Sequence, residues 1–151
     1  MKIISTYPAK IKESSGAFEA TAVLYRQAVD YFIGIMLKHW DKQFASLPNI
    51  NVVTRQTELL CWPTSKRPLT QYDFGKLFYK FPSYLRRAAI SEAYGMVSSY
   101  HTRLKQWKAN PQGKEPGLPK AGRTFPAMYR EVMFKNTTNR YTVRIKVFIR
   151  N

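Results

Sequence analysis

The chain has 151 residues, 44% of them hydrophobic and 15% aromatic, and carries 25 Lys and Arg against nine Asp and Glu, a net charge of +16. This is the size of one domain, or of one domain with part of another, and the apolar content excludes wholesale disorder. A charge of this size favours a polyanionic partner, nucleic acid before anionic membrane.

The charge is unevenly placed. Residues 1–75 hold nine basic and six acidic side chains (net +3), whereas residues 76–151 hold sixteen and three (net +13). One cysteine, Cys61, excludes an internal disulfide and reads as a small buried thiol. The two histidines, His39 and His101, lie far apart, so no Cys/His cluster forms a structural zinc site and no cofactor is expected. No stretch approaches the roughly 20 apolar residues of a bilayer span, and the N-terminal MKIISTYPAKIK lacks a signal-peptide core. The expectation is a soluble, intracellular chain without a membrane partner.

In chain order, Ile3 to Lys12 reads as a strand with Lys10 and Lys12 on one face and Pro8 near an edge. Glu13 to Gly16 breaks it. From Phe18 to Trp40, apolar residues at Phe18, Ala22, Tyr25, Val29, Phe32, Ile33, Met36, Leu37 and Trp40 follow helical spacing, with Glu19 in the first turn and Lys38 and His39 in the last, as the helix dipole prefers. The middle is less regular. Pro48, Pro63 and Pro68 punctuate it, with a short helix over 51–61 and another between Thr70 and Phe81.

The longest periodic stretch is Phe81 to Trp107, FPSYLRRAAISEAYGMVSSYHTRLKQW. Leu85, Ala89, Ala93, Met96, Tyr100, Leu104 and Trp107 recur every three or four residues, and Pro82-Ser83 reads as the helix start, with the serine oxygen capping the first turn. Arg86, Arg87, Arg103, Lys105 and Lys108 fall on the other faces against one acid, Glu92. Asn110 to Thr124, NPQGKEPGLPKAGRT, is a loop by its Pro and Gly content, and carries Lys114, Lys120 and Arg123. Phe125 to Lys135 reads as extended, Asn136 to Asn139 as a turn, and Tyr141 to Arg150 as a strand. That strand alternates an apolar face with one bearing Arg144, Lys146, Phe148 and Arg150. The pattern fits a β-barrel or sheet that meets nucleic acid, the reading the basic neighbouring segments favour, although an edge strand blunted by charge would look similar. The overall expectation is an α+β fold, with strands at both ends around a helical insert.

No active site is legible. The late acids Glu92, Glu115 and Glu131 fall on the helix, the loop and the hairpin, whereas a two-metal nuclease needs converging carboxylates. Neither a phosphate-binding P-loop nor a G-x-S-x-G nucleophile motif occurs. The chain is expected not to be an enzyme.

The order of parts, from a basic first strand through the FPSYLRR helix and the Pro/Gly/Lys loop to FPAMYREVMFKN and YTVRIKVFIR, resembles the N-terminal half of TnpB proteins of insertion sequences and of related type V CRISPR effectors. The likeness covers most of the chain and is strongest from Phe81 to Arg150. It implies a partial wedge β-barrel built from residues 1–14 and 125–151, a helical recognition lobe over 15–109 and a basic loop over 110–124. It also implies guide RNA and target DNA as partners in a prokaryotic cytoplasm, and a RuvC nuclease domain on a remainder of the protein or on a partner chain. On this reading the nucleic-acid-binding residues are Lys10, Lys12, Arg86, Arg87, Tyr100, Arg103, Lys105, Lys108, Lys120, Arg123, Arg130, Arg144, Lys146, Phe148 and Arg150, with no catalytic or metal-binding residue. Two alternatives stand beside it: a transposase-type binder of double-stranded DNA, and a scaffold subunit whose strands complete a partner's barrel.

Overall fold

The structure, a computed structural model, describes residues 16–122, 134–136 and 143–145. Four helices carry most of it: α1 (Gly16–His39), α2 (Ile50–Cys61), the single turn α3 (Phe74–Leu77) and α4 (Ser83–Ala109). Tyr25, Ala28, Val29, Phe32, Ile33 and Met36 are buried along one stripe of α1, at the three- and four-residue steps that a core-facing helix requires. They pack against Leu85, Ala89, Ile90, Ala93 and Val97 of α4, while Val53 and Cys61 of α2 close the same core. Each fully buried Val, Leu, Ile, Phe or Met side chain contributes about 1.5–3 kcal/mol of transfer free energy, so this three-helix seam is the main stabilising term.

Local chemistry sets the boundaries. α1 runs into a π-helical turn, Trp40–Phe44, closed by the Ala45 amide donating to the Trp40 carbonyl at 2.9 Å. Trp40 and Phe44 are both buried in this turn. Asn49 caps α2, its side-chain oxygen accepting from the Asn51 and Val52 amides at 3.0 and 3.1 Å. At the other end the Arg67 guanidinium donates to the Trp62 carbonyl beyond the helix and to the Glu58 carbonyl, which also accepts the Trp62 amide. Asp73 caps α3 through the Lys76 amide at 2.9 Å. This one turn is held by Phe74, which stacks on Phe32 (5.0 Å) and Phe78 (4.6 Å) and meets Tyr31 and Phe81 edge-on.

The start of α4 differs from expectation. Ser83 is its first helical residue, Pro82 occupies the cap position, and no side chain caps the end. After Ala109 the chain reverses: the Gln112 amide bonds the Asn110 carbonyl, Gly113 takes φ +73°, and the Trp107 indole donates to the Gly113 carbonyl at 3.3 Å. The positive φ is the reason glycine stands there. The loop then returns to α1, where the Ala121 amide donates to the Asp30 carboxylate at 2.7 Å.

The expected partial β-barrel is not found. Among the described residues the extended structure is one antiparallel ribbon, β1 (Phe134–Asn136) with β2 (Val143–Ile145), and the fold is predominantly helical. The physical reason is that helices pack on helices. The aromatic and aliphatic stripes of α1, α2 and α4 saturate one another, so the helical part is its own core and not an insert between barrel strands. The register pairs Phe134 with Ile145, Lys135 with Arg144 and Asn136 with Val143, which places Asn136 in the strand and not in the expected turn. The proposed first strand, Ile3 to Lys12, lies outside the described residues.

Candidate nucleic-acid interface

Two regions of α4 carry the cations that remain available. The one acid of this helix, Glu92, is turned toward α1, where its carboxylate accepts the Tyr25 hydroxyl at 2.6 Å. Burial and this bond push the Tyr25 phenol well above its ordinary range, so it stays a donor. The outer face is left without a carboxylate. Along it lie Arg87, Ser91, Gly95, Ser99, Thr102 and Lys105, all exposed. Arg87 and Lys105 stand eighteen residues apart, five helical turns, and therefore point the same way about 27 Å from each other. Between them the face is made of small side chains, over which a phosphate backbone could lie close to the helix. Arg103 and Lys108 flank the end of this track, and Lys114 and Lys120 are exposed on the loop. Among the described residues none of these cations bonds a carboxylate.

The second region is a groove of about 690 Å³ between α2 and the first turns of α4. Asn51, Thr54, Arg55 and Glu58 line one wall, and Tyr84, Arg87, Ala88 and Ser91 the other. Each wall is an i, i+3, i+4, i+7 stripe, one face of a helix. Arg55 and Arg87 are exposed and unpaired among the described residues. Glu58, the one acid of the groove, is taken by Arg86: Nη2 to Oε1 is 2.8 Å, and the guanidinium lies 3.9 Å over the Trp62 ring. The groove is therefore electropositive. Burial raises the Tyr84 phenol as well.

Two expected contacts are corrected. Arg86 is only 7% exposed and shares the buried line of Ile90, Ala93 and Val97; its charge is spent on Glu58 and Trp62, so it is a core residue and not a phosphate ligand. Tyr100 is 9% exposed, edge-on to His101, which stacks on Trp40 at 4.7 Å, so its ring offers no face to a base. Arg87, Arg103, Lys105, Lys108 and Lys120 are exposed as expected. Arg144 pairs with Lys135 across the ribbon. Lys10, Lys12, Arg123, Arg130, Lys146, Phe148 and Arg150 lie outside the described residues. Arg55 and the groove were missed. The polar stripe on α2 and the matching one on α4 were the available signal, but only packing brings two stripes face to face.

Among the described residues no helix is long and apolar enough to cross a membrane. Compared with known proteins, the chain matches the family model described as Aq_aa04 over residues 5–149. It is similar to the uncharacterized protein aq_aa04 of Aquifex aeolicus (strain VF5), with 28% identity over 121 residues, covering 74% of this chain and 67% of that protein. Neither match carries a TnpB or type V effector name, and no solved structure matches the chain. A model that spans nearly every residue places the chain in a family: the protein belongs to the Aq_aa04 family.

Proposed function

We propose that this protein binds nucleic acid through phosphate contacts along the outer face of α4, with the loop that follows as a second cationic element. The observation that carries it is the segregation of charge on that helix. Glu92 is turned to Tyr25, and the exposed face from Arg87 to Lys105 holds cations and small residues. A face that carries cations at both ends and no carboxylate between them attracts a polyanion. The loop supports this, because its tether to Asp30 holds Lys120 in place at the surface of α1. The finer reading is a piece that holds guide RNA and target DNA beside a RuvC-containing remainder or partner chain. It rests on the TnpB-like resemblance of Phe81 to Arg150, and its signature would be a preference for structured RNA.

The test is fluorescence anisotropy with a structured RNA and a duplex DNA of equal length, each at two salt concentrations. The proposal expects binding that weakens steeply with salt, by a log–log slope of about −0.7 to −0.9 per phosphate contact. Preference for the RNA would favour the guide-binding form, and equal or better duplex binding a transposase-like DNA binder. Affinity that hardly responds to salt, or no binding to either, would remove the proposal.

A further inference from the structure

We infer that the groove between α2 and α4 receives one unpaired nucleotide of a single strand whose backbone runs along the outer face of α4. This rests on the nucleic-acid reading and deepens it by naming the form of the ligand. Four observations carry it. The groove volume, about 690 Å³, lies within the range of about 300–1,000 Å³ typical of small-molecule sites. Arg55 and Arg87 supply two unpaired guanidinium forks, the donor geometry that matches phosphate oxygens. Glu58, the acid that would repel a phosphate, is already neutralised by Arg86. Tyr84 contributes an aromatic ring to the wall, against which a base can stack.

Continuity gives the direction. Arg87 and Ser91 belong both to the groove wall and to the track that leads toward Lys105. A strand laid on that track therefore reaches the groove without leaving α4. A base inside a duplex is stacked and paired and cannot enter, whereas an unpaired one turns in freely. The polar lining from Thr54 and Asn51 can meet the sugar or a base edge.

The experiment compares a twelve-residue oligouridine, a twelve-residue oligothymidine and a twelve-base-pair duplex DNA, bound by the full chain and by its Arg55→Ala, Tyr84→Leu and Lys105→Ala variants. Arg55 is exposed and lies off the α4 track, so Arg55→Ala reports on the groove with little risk to folding. Tyr84→Leu is used only where its circular dichroism matches that of the parent. The expected result is a loss of about tenfold in affinity for the single strands with Arg55→Ala and with Tyr84→Leu. Duplex affinity changes about twofold at most, whereas Lys105→Ala weakens every ligand by a similar factor. If Arg55→Ala leaves single-strand binding unchanged, or weakens duplex and single strand alike, the groove inference is overturned while the proposed function stands. If the parent chain binds none of the three, the groove inference falls, and the proposed function stands only if the structured RNA is bound.

Discussion

Arg86 is a guanidinium buried in the helical core, held between the Glu58 carboxylate and the Trp62 ring. It follows Leu85 and precedes another arginine, so on a periodic plot it joins the cationic side of α4. Packing turns the buried face by one residue: Leu85, Arg86, Ala89, Ile90, Ala93 and Val97 are all inside. A buried guanidinium is tolerated because Glu58 supplies the opposite charge and Trp62 a ring face. Arg86→Ala would strand the Glu58 carboxylate, and urea unfolding should show a loss of about 3 kcal/mol. The salt slope for duplex DNA, which does not enter the groove, should not move. A variant of full stability with a smaller slope would place this guanidinium on the surface instead. Cys61 behaves as read, buried and donating to the Thr57 carbonyl at 3.0 Å. Burial pushes its thiol from 9.0 up to about 12. The folded state holds this proton more tightly than the unfolded chain. The thiol's contribution to stability is therefore complete below about pH 9 and is lost as pH rises toward 12, by roughly 1 kcal/mol per pH unit. Urea unfolding at pH 8 and pH 10.5 should show the parent losing more stability between the two than Cys61→Ala. Equal losses would mean that the thiol is not desolvated.

At the scale of elements, the helices were legible because periodicity and caps are local. The expected helix over Phe18–Trp40 is found at Gly16–His39, and that over 51–61 at Ile50–Cys61, started by an asparagine cap. The two late segments do pair, but Asn136, expected in the turn, lies in the strand, since a run of polar residues does not fix which of them pair. The barrel was implied by the TnpB-like resemblance and by two strand-like ends, and strand pattern does not say what a strand packs against. The exposed glycines show the reverse limit, where the sequence looks unfavourable and the helix forms regardless. Gly34 lies within α1 and Gly95 within α4, and a Cβ added at either would meet nothing within 4 Å. Gly34→Ala and Gly95→Ala should each raise stability by about 0.5–1 kcal/mol through the entropy of the unfolded chain. Thermal unfolding of both variants measures this, and a lower Tm for Gly95→Ala would show that the outer face of α4 is already covered.

For the molecule as a whole, the question is whether +16 acts as a general field or through a built surface. A diffuse field would be weakened about equally by removing any exposed cation, whereas a track singles out those that share its face. Arg87 and Lys105 share that face, while Lys42 and Lys66 are equally exposed but lie outside α4. Two double variants of identical net charge separate the cases: Arg87→Ala with Lys105→Ala, and Lys42→Ala with Lys66→Ala. Each phosphate contact removed should flatten the log–log salt dependence of binding by roughly 0.7–0.9. The first pair should therefore reduce the slope by about 1.5 and weaken binding accordingly, and the second should leave the slope within error of the parent. Because both variants carry the same net charge, equal effects would show that charge alone recruits the ligand and that α4 offers no defined path. A reduced slope for the first pair alone would locate the ligand on α4, whose acid is bonded to Tyr25 of α1.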